Sequence, residues 1–205
     1  MFKLNKVYLC MKKMYVISGC NGAGKTTTSF TLLPELLECD NFVNADNIAY
    51  GLSPLNPKAA DFQAGRLMID RIKYLINSKE TFAFETTLTT LSYKNIFIEA
   101  KRNKFEITLL YIWLNNPNLA VKRVNERKKH GGHFVAEDII RRRYYKGIIN
   151  FFNVFKSLAD DWYLFDNSYT VPDLIASKLK SNEITIKNKN FYNRIINTYD
   201  SFTKK

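Results

Sequence analysis

The sequence predicts an α/β fold in which a five-stranded parallel sheet carries helices on both faces. Short apolar runs alternate along the chain with longer segments whose apolar residues recur at helical spacing, a pattern typical of parallel sheets with crossover helices. The chain has 205 residues, of which 46% are hydrophobic and 24% charged. These values are those of a globular domain and exclude a disordered or fibrous chain. We expect a single domain over residues 14–205, preceded by an N-terminal extension over residues 1–13.

Apolar patterning places the individual elements. Strands are predicted where short apolar runs end at glycine or polar residues, and helices where apolar residues recur every three or four positions. The strands are expected over residues 14–18, 42–43, 81–84, 105–114 and 162–165. The helices are expected after Gly24, from Asp46, over residues 58–78, 93–103, 117–130 and 137–158, near Pro172 and at the C-terminus, with a candidate short strand at 183–186. Because parallel strands end at one edge of the sheet, we expect ligands to bind there.

The charge of the chain indicates an anionic partner or a compositional bias. There are 31 Lys and Arg against 19 Asp and Glu, which gives a net charge of +12. Nucleic acid, a membrane surface and a phosphorylated small molecule would each suit this charge, and the codon bias of an AT-rich genome would also produce it. No segment has the roughly 20 apolar residues of a membrane helix, and the basic N-terminus lacks the apolar stretch of a signal peptide. The three cysteines have no CxxC spacing, so we expect a cytoplasmic protein without a disulfide framework or zinc site.

A phosphate-binding loop follows the first predicted strand. Residues 19–26, GCNGAGKT, match the pattern G-x-x-x-x-G-K-[ST] without a mismatch. Glycines allow the backbone angles that turn successive N–H groups toward phosphates, while Lys25 would reach the β/γ-phosphates and the Thr26 hydroxyl would bind Mg²⁺. Since a strand precedes the loop and a helix follows it, the segment predicts ATP and Mg²⁺ as cofactors. The residues expected at the nucleotide are Gly19, Asn21, Gly22, Ala23, Gly24, Lys25, Thr26 and Thr27.

The motifs of other nucleotide-binding classes are missing from the sequence. There is no base-reading N-K-x-D of small GTPases and no L-S-G-G-Q-like segment of ABC-type ATPases, and the strand over 81–84 does not end in the aspartate usual for a Walker B segment. Instead, the strand over 81–84 is followed by Glu85. Kinases of the mononucleotide-kinase type place carboxylates at strand ends in this way. The sequence therefore favours a P-loop kinase over a GTPase or a motor.

Two acidic residues follow predicted strands and are candidates for phosphoryl-transfer chemistry. Asp46 follows the strand over 42–43, and Glu85 follows the strand over 81–84, so both are expected near the phosphate loop. Phosphoryl transfer needs one carboxylate to deprotonate the attacking hydroxyl and another to hold Mg²⁺. Asp46 is also a good helix N-cap, and Glu85 could be a surface residue at a strand end. Pattern alone leaves these alternatives open.

The basic charge is concentrated in residues 101–150, which contain twelve Lys and Arg and four Asp and Glu, a net charge of +8. Arg123 and Arg127 are one helical turn apart, Gly131 and Gly132 follow, and an arginine triplet stands at 141–143. Two basic helices joined by a glycine turn predict a lid over about 123–146, whose arginines would offset charge on the transferred phosphoryl group. A solvated charged surface is the alternative, above all for the last two arginines of the triplet.

Taken together, these segments resemble the zeta-toxin family of P-loop kinases, in particular its single-domain bacterial branch. The matching segments occur in the family's order between residue 14 and about residue 170. They are residues 19–27 (GCNGAGKTT), 44–49 (NADNIA), 64–66 (AGR), 82–88 (FAFETTL), 123–127 (RVNER), 131–133 (GGH), 141–144 (RRRY) and 166–168 (DNS).

The resemblance implies an ATP-dependent kinase that phosphorylates a sugar hydroxyl of UDP-N-acetylglucosamine or a related sugar nucleotide. Its catalytic residues would be Asp46 as general base, Lys25, Arg127 and Arg142, although Arg141, Arg143 or His133 could replace Arg142. Its substrate would contact Asp46, Arg66, Glu85 and Thr86, and its metal ion Thr26 and Glu85. A kinase of another small molecule or of a polynucleotide end, and a non-catalytic nucleotide-binding module, are the alternatives. Neither toxicity nor an antitoxin partner has a signature in the sequence, and nucleic acid is not the partner that we expect.

Overall fold

Seven strands form one mixed sheet in the computed structural model of the chain, which describes residues 11–129, 135–180 and 183–203. The strands are β1 (Lys13–Gly19), β2 (Phe42–Val43), β3 (Phe82–Thr86), β4 (Glu106–Trp113), β5 (Asp161–Asp166), β6 (Asp173–Lys178) and β7 (Ile184–Ile186). The helices are α1 (Lys25–Leu36), α2 (Ala45–Leu52), α3 (Asp61–Asn77), α4 (Tyr93–Arg102), α5 (Pro117–Lys129), α6 (Glu137–Asn150), α7 (Lys156–Leu158) and α8 (Lys189–Thr203). Within the described part of the chain, no helix has both the length and the apolar character needed to cross a membrane.

The strand order is β2-β3-β1-β4-β5-β6-β7, and β1 pairs in parallel with β3 and β4. Val16 and Ile17 of β1 point to opposite faces and are both 0% exposed, so helices and loops cover the two faces at this strand. In the register of β1 with β3, Ile17 lies beside Glu85. The loop that follows β1 therefore emerges next to the carboxyl end of β3.

The C-terminal part of the sheet differs from the sequence prediction. The five-stranded sheet is wrong, because β6 and β7 extend the sheet beyond β5 in antiparallel orientation. The helix predicted near Pro172 is also wrong, since β6 occupies Asp173–Lys178. Ile175 and Ala176 of β6 are 0% exposed, so pairing with β5 and burial decide the structure of this segment. The candidate strand at 183–186 corresponds to β7.

Two predicted helices have irregular parts. The segment predicted as one helix over 58–78 starts with a short 3₁₀ turn, Pro57–Ala60, before α3. The segment predicted over 137–158 consists of α6, a π-helical stretch over Phe151–Phe155, and α7. The π-helical stretch directs aromatic rings into the core: the Phe151 ring lies 4.9 Å from that of Tyr111, centroid to centroid. This packing anchors the C-terminal end of α6 to the sheet.

Candidate active site

The phosphate loop adopts backbone conformations that need glycine. Gly22 and Gly24 have φ values of +77° and +88°, in the left-handed region that side chains disfavour. A Cβ atom on Gly22 would also lie 2.7 Å from the carbonyl oxygen of Ala120. The loop therefore packs directly on α5, and α1 begins at Lys25 immediately after it. The N-terminus of a helix with free backbone N–H groups is a favourable place for an anion.

A cavity of about 690 Å³ opens over this loop. Its lining comes from the loop and α1, from α2 and the segment that follows it, from β3 and from α5. The lining residues are Asn21, Gly22, Gly24, Lys25, Thr26, Thr27, Asn44, Asp46, Asn47, Tyr50, Pro54, Leu55, Asn56, Pro57, Lys58, Glu85, Arg123 and Arg127. The structure thus brings Lys25, Thr26, Asp46 and Glu85 to one site, as the strand-end argument predicts.

Glu85 is the centre of the polar contacts in the cavity. Its Oε1 lies 3.4 Å from Lys25 Nζ, and the two side chains are only 10% and 8% exposed. Its Oε2 accepts hydrogen bonds of 2.8 Å from the Thr26 hydroxyl and from Asn44 Nδ2. The Lys25 ammonium also donates to the Cys20 carbonyl at 3.1 Å. One carboxylate therefore holds both side chains that a phosphate loop uses for phosphate and metal.

The pair Thr26 and Glu85 has the donor chemistry that Mg²⁺ prefers. A hydroxyl and a carboxylate oxygen meet here at 2.8 Å, close enough for both to serve one cation. Mg²⁺ usually keeps several waters and binds through one or two protein oxygens plus substrate phosphates. Among the described residues, no three or more His, Cys, Asp or Glu side chains are grouped so that they could bind a metal ion by themselves.

The N-cap of α2 is Asn44, and the capping interpretation of Asp46 is therefore wrong. Asn44 Oδ1 accepts from the backbone N–H groups of Asp46 at 2.7 Å and Asn47 at 3.2 Å. Its amide nitrogen meanwhile donates to Glu85, so Asn44 joins the start of α2 to the end of β3. Asp46 lies in the first turn of α2, exposed and facing the cavity. Its carboxylate is accordingly available to a ligand.

Arg123 stabilises the phosphate loop indirectly, through the turn that follows β5. Its guanidinium donates to the carbonyl oxygens of Asn167 at 2.8 Å and Ser168 at 3.2 Å, in the turn after β5. Asn167 Nδ2 in turn donates to the carbonyl oxygen of Ala23 at 2.8 Å. The segment 166–168, known from the sequence only as part of a resemblance, thus connects α5 to the phosphate loop.

Of the arginine triplet, Arg143 is the residue that contacts the phosphate loop, and the catalytic role predicted for Arg142 stays a prediction. Arg142 is exposed on α6, and neither Arg142 nor Arg143 is among the residues that line the cavity. Arg143 Nη1 donates to Asn21 Oδ1 of the phosphate loop at 3.1 Å. Burial lowers the pKa of Arg143, and the negative charge of Asp46 partly offsets that effect. Arg141 bonds instead to Glu137 on its own helix.

Arg127 lies at the rim of the cavity, exposed at the end of α5. The glycine turn and His133, which the sequence places between the two basic helices, lie outside the described residues. The lid over about 123–146 is therefore described here only through α5 and α6, and its closure stays a prediction.

Two predicted substrate residues, Arg66 and Thr86, do not line the cavity. Arg66 is exposed on α3, where its guanidinium lies 5.3 Å from the Phe62 ring centroid. Thr86 is 7% exposed, and its hydroxyl accepts a hydrogen bond of 3.1 Å from the backbone N–H of Leu88. Gly19 and Ala23, expected at the nucleotide, lie behind the lining residues, with Ala23 0% exposed. Any contact that they make with a nucleotide would come through the backbone.

Comparison with solved structures shows the fold. A chain of the AvrRxo1-ORF1:AvrRxo1-ORF2 complex with sulphate ions matches with a TM-score of 0.71 and 16% identity, covering 91% of this chain and 64% of that one. A chain of the same complex with ATP matches with a TM-score of 0.68. A chain of the PezAT chromosomal toxin-antitoxin system of Streptococcus pneumoniae matches with a TM-score of 0.63 and 12% identity, covering 99% of this chain and 92% of that one. With the phosphate loop, these likenesses show that the chain has the P-loop α/β fold of these two chains, although this chain spans only 64% of the length of the AvrRxo1 chain.

Comparison of sequences shows the family. No family profile matches the chain. An uncharacterized protein of Haemophilus influenzae is 36% identical over 140 residues, which are 68% of this chain and 97% of that protein. The chain belongs to the same protein family as this Haemophilus influenzae protein.

Proposed function

We propose that the protein is an ATP-dependent kinase of the zeta-toxin type, which transfers the γ-phosphate of ATP to a sugar hydroxyl of UDP-N-acetylglucosamine or a related sugar nucleotide. One observation carries the proposal: an exposed carboxylate, Asp46, shares a single cavity with the phosphate-loop residues Lys25 and Thr26. A nucleotide-binding loop needs no such carboxylate in order to bind, whereas a kinase needs a base beside the transferred group.

The donor half of the reaction is assigned to the phosphate loop. Lys25 would bind the β- and γ-phosphates, and the N-terminus of α1 would add its positive partial charge. Thr26 and Glu85 would hold Mg²⁺, which when bound neutralises negative charge on the phosphates. The likeness to a chain of a complex solved with ATP supports the choice of nucleotide.

The acceptor half of the reaction is assigned to Asp46. Its carboxylate would orient the acceptor hydroxyl and take its proton as the oxygen attacks the γ-phosphorus. Arg143 contacts the phosphate loop through Asn21, and burial lowers the pKa of its guanidinium while the charge of Asp46 partly offsets that effect. Its guanidinium would therefore stabilise negative charge where donor and acceptor meet. Arg127 at the rim of the cavity would serve the same purpose when the proposed lid closes.

A protein partner is part of the proposal. The similar chains come from the AvrRxo1-ORF1:AvrRxo1-ORF2 complex and from the PezAT toxin-antitoxin system. We infer that this chain also has an antitoxin-type partner and that it acts in the cytoplasm, where ATP is available. Co-expression with the product of the adjacent reading frame should yield a complex that purifies as one species; two proteins that always separate would contradict this part.

The direct test is product formation. Incubation with ATP, Mg²⁺ and UDP-N-acetylglucosamine should give a sugar nucleotide that is heavier by one phosphoryl group, detected by mass spectrometry. Asp46→Asn should bind ATP as the parent does yet lose turnover, because the amide cannot accept the proton. Asp70→Asn, an exposed residue of α3 outside the cavity lining, is the matched control and should turn over normally.

Two results would contradict the proposal in different ways. If folded protein labels another acceptor in a mixture and leaves UDP-N-acetylglucosamine unchanged, the acceptor is wrong but the kinase assignment stands. If ATP binds and neither the parent nor Asp46→Asn transfers phosphate to any acceptor, the protein is a nucleotide-binding module.

A further inference from the structure

Part of the cavity lining is apolar, exposed and unrelated to phosphate chemistry. Tyr50 of α2 is 62% exposed, and Leu55 in the following loop is 102% exposed. Pro54 and Pro57 line the cavity beside them. Neither Tyr50 nor Leu55 belongs to the hydrophobic clusters of the described residues, so neither supports the fold by packing. Apolar and aromatic side chains that line a concave site are typical of the part of a pocket that binds the body of a ligand.

Tyr50 has a fixed position relative to the proposed base. Asp46 and Tyr50 are four residues apart on α2, so they share one face of the helix about 6 Å apart along its axis. The helix itself is fixed, because its N-cap Asn44 bonds to the start of α2 and to Glu85 of β3. A molecule whose hydroxyl lies at Asp46 can therefore reach Tyr50 along this face.

The segment that follows α2 also contributes a cation to the cavity lining. Lys58, in the 3₁₀ turn after the loop, is exposed and lines the cavity next to Pro57. It comes from a different segment than Lys25, Arg123 and Arg127, which line the side of the phosphate loop and α5. α2 and the segment that follows it therefore contribute both an aromatic side chain and a positive charge to the cavity. A planar ring joined to an anionic group has the complementary chemistry.

We propose that Tyr50 determines acceptor specificity by packing against a planar unsaturated ring of the acceptor, with Leu55 and Pro54 beside it and Lys58 near an anionic group. The inference rests on the proposed kinase function, because it takes Asp46 as the position of the reacting hydroxyl. A nucleoside and a sugar nucleotide share this ring chemistry and differ in the distance between ring and hydroxyl. The test therefore includes both.

The test is calorimetric binding with the phosphate loop already filled. The full chain is saturated with Mg²⁺ and a non-hydrolysable ATP analogue, and uridine, adenosine, UDP-N-acetylglucosamine and N-acetylglucosamine 1-phosphate are titrated separately. Stacking of a base on an aromatic side chain predicts that Tyr50→Ala weakens binding of the ring-bearing ligand about 5- to 140-fold. Tyr50→Phe should bind within a few-fold of the parent, because it keeps the ring face.

Two further variants separate ring binding from folding. Leu55→Ser changes a fully exposed side chain and should weaken the same ligand without changing the melting temperature. Tyr74→Ala removes another exposed tyrosine, on α3 and outside the cavity lining, and should leave binding unchanged. The affinity for the ATP analogue should be the same in every variant.

The outcomes are distinct. Tight binding of uridine or adenosine would identify a nucleoside acceptor, and binding of UDP-N-acetylglucosamine alone a sugar nucleotide; both support the proposal. Equal affinity for N-acetylglucosamine 1-phosphate, unchanged binding by Tyr50→Ala, or binding of none of the ring-bearing ligands to the analogue-filled protein would overturn it. Failure to bind the ATP analogue would instead overturn the proposed function.

Discussion

Glu85→Gln should raise the affinity of the protein for ATP in the absence of Mg²⁺. The substitution keeps the size of the side chain and an oxygen that can accept from Thr26 and Asn44, and it removes one negative charge. In the structure that charge lies 3.4 Å from Lys25 Nζ, in a pair whose side chains are 10% and 8% exposed. ATP must take the Lys25 ammonium away from Glu85 and place its phosphates beside the same carboxylate. Glu85 therefore competes with metal-free ATP.

The geometry gives the size of the effect. At 3.4 Å and an effective dielectric constant of about 20, the attraction between Lys25 and Glu85 is about 5 kcal/mol, an upper bound before desolvation is counted. The net value of a hydrogen bond to a charged group, about 1.5–3 kcal/mol, is the better guide. The gain in affinity is then about 10- to 150-fold in EDTA. With Mg²⁺ present the gain should shrink or reverse, because Glu85 then holds the cation with Thr26.

Titration calorimetry with ATP, in EDTA and in Mg²⁺, measures both quantities on one preparation. Glu80→Gln is the matched control, since Glu80 precedes β3, accepts from Asn41 and lies outside the cavity lining. Its affinities should equal those of the parent under both conditions. If Glu85→Gln bound metal-free ATP no better than the parent, the inferred competition for Lys25 would be refuted. If Mg²⁺ changed the ATP affinity of Glu85→Gln as much as that of the parent, Glu85 would not be a ligand of the metal ion.

Three further predictions follow from single contacts. Arg143→Ala should lower kcat about 10²–10³-fold, which is the usual effect of removing one preorganised donor. Arg142→Ala should keep the rate of the parent. An equal loss of rate in both variants would contradict the assignment of Arg143 to the site. Gly22→Ala should lower the melting temperature and abolish ATP binding, because the φ of +77° disfavours a side chain and the new Cβ atom would clash with the Ala120 carbonyl oxygen. Gly65→Ala has open space around the new Cβ atom and should raise the melting temperature. Burial raises the pKa of the Cys20 thiol from 9.0 to about 11, so the unfolded chain loses this proton first and the free energy of unfolding falls between these pH values. Chemical denaturation across that pH range should show that the free energy of unfolding declines less steeply in Cys20→Ala than in the parent. An identical decline in both proteins would refute the raised pKa of Cys20.

The parts of the site that the sequence predicts are those fixed by the local chain and by parallel pairing. The phosphate loop needs only its glycines, its lysine and a strand before it. Glu85 needs only a place at the end of a strand, and the register of β1 with β3, with Ile17 beside Glu85, then carries its side chain to Lys25 and Thr26. Neither step depends on distant side chains, so a single sequence contains enough information for both.

Other features depend on contacts between distant segments. Asn44 and Asp46 are both good N-caps two residues apart, and propensity does not choose between them. In the structure the N-cap is Asn44, whose amide nitrogen donates to Glu85 of β3. Likewise, consecutive residues of a helix point about 100° apart, so a run of three arginines does not show which one faces the loop. The rotation of α6 is set by its buried face, including Tyr144, and this directs Arg143 toward Asn21.

Fewer cations are available to a large polyanion than the net charge of the chain suggests. In the most basic segment, Lys101 pairs with Asp160, Arg141 with Glu137, and Arg123 is committed to two backbone carbonyls. Arg123 and Arg143 lie on the neighbouring helices α5 and α6, and their contacts lead to the phosphate loop through Asn167 and Asn21. A duplex requires cations spread along a surface, because each phosphate contact adds to the binding and to its salt dependence. A nucleotide requires a few cations around one concave point, and that is the arrangement in this cavity. This arrangement of cations is the reason why we propose a small phosphorylated ligand and not nucleic acid.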